Sequence, residues 1–255
     1  MIGSMTVAGV RIDSVDLNSA VDLIESAVND RSPMQVATVN LDFLVRAQRS
    51  VELRRVLDAS DLNVADGMPV VWLSKLAGRP LPGRTAGSDL VPVALQRLAA
   101  MGARIFLFGG ERAVALEAGR RLVDAYPGLV IAGHCEPPLA AIERMPNRSI
   151  IRLIQAARPD VLLVALGNPK QELWIARHRQ ALGVTVAIGV GCTLDLLARK
   201  SRRAPRWMQE TGLEWLFRLA QEPRRLFLRY VLDSLWLARF AVGAARERFT
   251  LRGLA

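Results

Sequence analysis

Short apolar, β-branched runs alternate along the chain with stretches whose apolar positions recur at helical spacing. "TVAGVRID" reads as a strand and "LNSAVDLIESAVND" as a helix. "QVATVN" is strand-like, and "DFLVRAQRSVELRRVLDAS" follows it with helical spacing. "LNVAD" is a brief strand that runs directly into Gly67, Met68, Pro69 and another helix. Further on, "RIFLFGG", "LVIAGH", "DVLLVAL" and "VTVAIGV" are each followed by a Gly or Pro turn, and most by an amphipathic helix. Continuously apolar strands alternating with helices predict an α/β fold: a Rossmann-like, mostly parallel sheet flanked by helices on both faces. No internal repeat or low-complexity segment interrupts the pattern. It stops near residues 196–206, where arginines begin to interleave with tryptophan, leucine and phenylalanine. The expected division is therefore an α/β unit over residues 1–198 and a basic, amphipathic helical appendage over residues 199–255.

Charge sharpens that division. The formal net charge is +10, and residues 199–255 hold 13 Lys or Arg against 5 Asp or Glu, so the appendage carries +8 of it. An anionic surface or partner met by one end of the molecule is the implied counterpart. The most apolar part of the appendage, "LFLRYVLDSLWLARFAVGAA", is interrupted by Arg229, Asp233 and Arg239. It falls short of the roughly 20 predominantly apolar residues of a spanning helix. The first residues show no charged segment followed by an apolar one, so no signal peptide is expected. Cys135 and Cys192 are too few for a disulfide framework and form no CxxC, which points to a reducing compartment. A soluble chain that touches a membrane fits these features.

In parallel sheets, ligands bind beyond the carboxyl ends of the strands, beside helix N-termini. Those positions are polar here. Thr38, Asn40 and Asp42 surround the end of one strand, and Asp66 ends another. A carboxylate such as Asp66 at that place is either a helix N-cap or a general base. Gly109 and Gly110 follow "IFLF" and open a helix whose backbone N–H groups suit a phosphate, although an ordinary turn explains the pair equally. After "LLVAL" come Gly167, Asn168, Pro169, Lys170 and Gln171; Asn168, Lys170 and Gln171 offer donors to a ligand, whereas Asn-Pro alone is also turn chemistry. Lys170 is one of only three lysines in an arginine-dominated chain.

Several classes of function lose support at this point. His134 adjoins Cys135 and His178 lies in a helical run, with no HxH, HExxH or DxD, so no metal is expected. There is no GxSxG elbow, no GxxxxGK[ST] loop and no complete GxGxxG. No RRM, KH or zinc-finger pattern accompanies the basic charge, so nucleic acid is not expected as a partner.

"TVNLDF", "ADGMPVVW", "RTAGSDL", "FLFGG", "GNPKQE", "GVGCTLDLLA" and "RRAPRWMQETGLEWLFRLAQEPRRLFLRY" together resemble, in order and spacing, the WecG/TagA/CpsF glycosyltransferases. The resemblance runs from about residue 5 to residue 240. It implies an inverting, metal-independent enzyme that needs no cofactor. Such an enzyme moves a hexose (N-acetylmannosamine, its uronic acid, or glucose) from a UDP-sugar to a polyprenyl-diphosphate-linked sugar in cell-surface polysaccharide synthesis. It also implies a cytoplasmic protein held peripherally at the inner face of the cell membrane.

Residue by residue, the resemblance implies Asp66 as catalytic base. Thr38 and Asn40 would line its pocket, Arg84 would meet phosphate, and Gln171 and Asp195 would contact the nucleotide-sugar. Arg218, Arg225 and Arg229 share one face at helical spacing, although Pro223 kinks or restarts that helix. They would neutralise a diphosphate, while Trp207, Trp215, Leu216 and Phe227 meet apolar surface or an anionic membrane. Cys192 and Leu196 stand where small and aromatic residues are common in the family. The competing readings are a Rossmann-type oxidoreductase or epimerase, which lacks its glycine fingerprint, and a non-enzymatic basic membrane adaptor, which leaves the polar strand ends unexplained. An oligomer is compatible with all of these features.

Overall fold

The first expected strand is two. Ser4–Val7 (β1) and Val10–Asp13 (β2) form an antiparallel hairpin that is separate from the main sheet. Ala8 and Gly9 hold φ of 48° and 78° at its turn, the positive values of a two-residue hairpin loop. The apolar positions shift phase across that turn, from Met5 and Val7 to Val10 and Ile12, but Ala8 and Gly9 are too small and weakly polar to divide the run by composition. This computed structural model describes residues 2–253. Met1, Leu254 and Ala255, which include the outer ends of the two units expected from sequence, lie outside the described residues, as do the side chains after Arg248.

Leu17–Asp30 (α1) follows, its first turn capped by the Asp16 carboxylate accepting from the Ser19 N–H at 2.8 Å. Next come Met34–Val39 (β3), then Leu41–Ala47 (α2) and Val51–Ala59 (α3). The helical run expected after β3 is thus two helices, because Ser50 adopts an extended backbone and caps α3 through the Leu53 N–H. The chain continues through Leu62–Ala65 (β4), Met68–Leu76 (α4), Gly87–Ala99 (α5), Arg104–Gly109 (β5), Arg112–Ala125 (α6) and Val130–Cys135 (β6). After a short 3-10 turn at Ile142–Arg144 come Asn147–Ala157 (α7), Val161–Ala165 (β7), Lys170–Leu182 (α8), Val186–Gly189 (β8) and Thr193–Leu197 (α9).

Six strands form one sheet in the order β4-β3-β8-β7-β5-β6, every neighbouring pair parallel. Alternate residues of each strand feed opposite faces. Ile105, Leu107, Val161 and Leu163 pack with α1, α5, α6 and α9. Phe106, Phe108, Leu162 and Val164 pack with α7 and α8. The β4 edge is closed by the hairpin, where the Asp13 carboxylate accepts from the Asn63 N–H at 2.7 Å. Parallelism brings all six carboxyl ends to one rim.

The appendage consists of Arg206–Glu210 (α10), Glu214–Gln221 (α11) and Pro223–Gly253 (α12). Glu222 breaks the helix and Pro223 starts the next, where proline costs no hydrogen bond. Leu237, Phe240, Ala241 and Ala244 of α12 pack on a third apolar cluster, built from the hairpin, α2, α3 and α4. The basic segment therefore lies across the α/β unit, over the rim of strand ends. Among the described residues no helix is long and apolar enough to cross a membrane.

Candidate active site

Three strand ends meet beneath the appendage. At β3, Asn40 caps α2, its side-chain oxygen accepting from the Phe43 N–H at 3.3 Å. The buried Thr38 hydroxyl donates to the Gly189 carbonyl of β8 at 3.2 Å, which ties the centre of the rim together. At β4, the Asp66 N–H donates to the Val39 carbonyl at 2.8 Å and extends the pairing by one residue. Gly67, with φ 113°, then occupies the cap position of α4, and no side chain caps that helix. Of the two roles open to Asp66, capping is thus excluded, and its carboxylate is left to the space it lines. At β7, the Asn168 amide donates to the Asp42 carboxylate at 2.9 Å, which also accepts from Arg46 at 2.9 Å. Gln171 is buried at the start of α8. Its oxygen accepts from the Gly191 N–H at 3.1 Å and its nitrogen donates to Glu172 at 2.7 Å.

Two cavities open on this rim. The smaller, about 210 Å³, lies over the strand ends and is lined by Thr38, Gln171, Gly191, Cys192, Arg202 and Arg225, among others. The larger, about 350 Å³, lies between α4 and the appendage, with Trp72, Trp215 and Leu237 in its apolar wall. Asn40, Asp42, Asp66, Arg218, Arg229 and Tyr230 line both. Asp66 therefore stands in the partition between them.

Its electrostatics are mixed. Burial pushes the Asp66 carboxyl up to about 6; Glu214 pushes the same way, while Arg218, Arg84 and the Asn40 side chain oppose. Arg218 donates to the Cys192 sulfur at 3.2 Å and to Glu214 at 3.2 Å. Arg84 donates to Glu214 at 2.8 Å, to Asp89 at 2.9 Å and to Gln209 at 3.3 Å. A carboxyl titrating near neutrality beside guanidinium groups suits proton abstraction next to a developing anion.

Of the twelve residues selected from sequence, Asp66, Thr38, Asn40, Arg84, Asn168, Gln171, Arg218 and Arg225 line one cavity or both. Gly109, Gly110, Lys170 and Asp195 are not among the lining residues. The glycines serve packing. A Cβ on Gly109 would sit 2.5 Å from the Ala165 carbonyl, and one on Gly110 would sit 3.1 Å from Leu194. The helix start after them already holds an anion, because the Glu136 carboxylate accepts from the Arg112 N–H at 3.0 Å. Lys170 instead donates to the Ala140 carbonyl at 2.5 Å. Asp195 lies on α9 beside Lys200 and Arg225, its carboxyl raised chiefly by burial.

Sequence reasoning missed Trp72, Gln209, Glu214, Tyr230 and Asp233, which line the larger cavity. Trp72, Gln209, Glu214 and Tyr230 lie inside the motifs that carry the family resemblance, and Asp233 is marked as an acid among apolar residues of an amphipathic helix. Among the described residues, no group of three or more His, Cys, Asp or Glu is arranged to hold a metal ion.

The Glycosyl transferase WecG/TagA/CpsF family matches residues 5–253. The chain is 32% identical, over 84% of its length and 83% of the relative's, to an N-acetylglucosaminyldiphosphoundecaprenol N-acetyl-beta-D-mannosaminyltransferase of Bacillus spizizenii. Proteins of the same description from Bacillus subtilis and Staphylococcus aureus are 30% and 26% identical, over 86% of this chain and 84% and 85% of theirs.

Proposed function

The chain belongs to the WecG/TagA/CpsF glycosyltransferases, and on that premise we propose that it moves N-acetylmannosamine from UDP to an N-acetylglucosaminyl-diphospholipid, with inversion and without a metal. The observation that carries this reading is the position of Asp66 in the partition between two cavities. The smaller cavity, at the strand ends, takes the UDP-sugar. The larger, with its apolar wall, takes the acceptor sugar and the first part of its lipid. Asp66 receives the proton of the acceptor hydroxyl as that oxygen attacks the anomeric carbon from the side opposite UDP. One base is enough, since a single displacement needs no covalent intermediate. Negative charge then develops on the departing UDP. Arg218, Arg225 and Arg229 line the smaller cavity and stabilise it there.

The appendage serves two purposes in this reading. It roofs both cavities, and it presents Phe227, Leu228, Leu232 and Leu235 to the outside near the exposed Arg224 and Arg225. Apolar side chains flanked by arginines fit the interface of an anionic membrane, where the lipid acceptor resides. The names of the relatives support the choice of sugar and acceptor.

A donor screen on a soluble, short-chain N-acetylglucosaminyl-diphospholipid tests the proposal. UDP-N-acetylmannosamine should give the β-linked disaccharide, and UDP, not NAD, should raise the melting temperature. Transfer from another UDP-hexose with none from UDP-N-acetylmannosamine would refute the sugar assignment. An α-linked product whose configuration matches that of the donor would refute inversion.

A further inference from the structure

The buried face of α12 runs through Leu226, Tyr230, Leu237, Phe240, Ala241 and Ala244, and Asp233 stands in the middle of it. At 5% exposure, Asp233 occupies a place where leucine would bury more apolar surface at no electrostatic cost. Among the described residues its carboxylate receives no hydrogen bond. Its ion-pair partner is Arg229 Nε at 3.8 Å, beyond hydrogen-bond reach. Arg229 belongs to the same helix, one turn earlier, so that pair does not fasten the appendage to the α/β unit. Across the interface on α2, Asp42 repels Asp233, and Arg46, which attracts it, is already bonded to Asp42 at 2.9 Å. Neither packing nor docking accounts for an acid here. The larger cavity does: Asp233 and Asp66 both line it.

We propose that Asp233 is a specificity residue, accepting a hydrogen bond from a hydroxyl of the acceptor sugar. This deepens the assignment of the larger cavity to the acceptor and rests on it. A largely buried carboxylate that opens on the cavity with no hydrogen-bond donor from the protein accepts strongly from a sugar hydroxyl; an acceptor that fills the cavity but lacks that hydroxyl leaves the charge unpaired. Burial and the charge of Asp42 raise the Asp233 carboxyl to about 6, so it is mostly ionised at pH 7 and able to accept.

The experiment compares the full chain with its Asp233→Asn and Asp233→Leu variants, using UDP-N-acetylmannosamine, the soluble N-acetylglucosaminyl-diphospholipid and those of its single-deoxy analogues that keep the attacking hydroxyl. The leucine variant keeps the helix face packed, and melting curves establish that both variants fold. The acceptor KM should rise roughly 10- to 100-fold in the leucine variant, and less in the asparagine variant, with UDP affinity within about twofold of wild type. In the wild type, one single-deoxy acceptor should lose a comparable factor, and the leucine variant should no longer discriminate against it. The inference is overturned if the wild type uses every deoxy acceptor as well as the parent. It is also overturned if acceptor KM stays unchanged in the leucine variant or UDP affinity falls in step with it. No transfer by the wild type to the parent acceptor would overturn the functional reading itself, a distinguishable result.

Discussion

Arg84 donates to Glu214 at 2.8 Å and so joins the loop ahead of α5 to the second helix of the appendage. Glu214 also receives Arg218 at 3.2 Å. One carboxylate thus holds two guanidinium groups that act on Asp66 while itself opposing them.

The acid limb of the pH dependence should report this arrangement. Asp66 works as a base only when ionised, so kcat/KM should fall as pH drops through about 6. Removing a negative neighbour lowers a carboxyl pKa, and removing a positive one raises it. Glu214→Gln should therefore shift the limb to lower pH and Arg218→Met to higher pH. Limbs that move together, or not at all, would show that some other group is titrating.

Glu172 lies fully buried behind Gln171, with one carboxyl oxygen bonded to that amide and the other without a partner. Burial pushes its carboxyl up to about 8 from an ordinary 4.5. The folded protein thus keeps a proton that the unfolded chain releases between those values, and stability falls as pH rises through that window. Glu172→Gln should remove this dependence and make the protein more stable than wild type at pH 8, by a few kcal/mol. Chemical denaturation at pH 5 and pH 8 measures it; equal pH slopes in the two proteins would contradict the protonated assignment.

Much of this site was legible before the fold was known. Asn40, Asp66, Asn168 and Gln171 each follow a strand in sequence, and parallel strands necessarily bring such residues to one rim. Lateral order in the sheet is not legible in the same way. β5 lies beyond β7, so Gly109 and Gly110 end up serving close packing against Ala165 and Leu194, away from the crevice over β3 and β8. Lys170 was singled out by its rarity, and rarity carries no direction; its ammonium meets the Ala140 carbonyl. The hairpin is marked only by a one-residue phase shift between Val7 and Val10, across Ala8 and Gly9, and the break at Ser50 leaves the helical spacing of apolar residues intact. Trp72 and Glu214 lie within the family motifs, but long-range docking of the appendage creates their shared setting, which the motifs alone do not specify.

The appendage should contribute to chemistry as well as to binding. Arg225 lines the smaller cavity from α12, is largely exposed, and pairs with Glu222 at 2.5 Å. Arg225→Ala should lower transfer to the soluble acceptor by roughly 10-fold, the loss expected of one charge-assisted contact. Binding to anionic vesicles should change by less than about twofold, since one charge of many is removed, and should weaken for both proteins in high salt. Equal small losses in the two assays would leave Arg225 a membrane contact only.

Arginine should replace metal in holding the diphosphate. Arg202, Arg218, Arg225 and Arg229 all line the smaller cavity. Transfer measured in excess EDTA should equal transfer without it. Activity abolished by the chelator and restored by magnesium or manganese would overturn the metal-free reading.

Asp66 is the centre of the proposed chemistry. The decisive measurement is single-turnover transfer from UDP-N-acetylmannosamine to the soluble acceptor by wild type and Asp66→Asn, with UDP affinity titrated in parallel. Asparagine keeps the size of the side chain but cannot take a proton, so transfer should fall by roughly 100-fold or more while UDP binds nearly as before. Transfer retained near the wild-type rate, with UDP binding intact, would contradict Asp66 as the base between the two cavities.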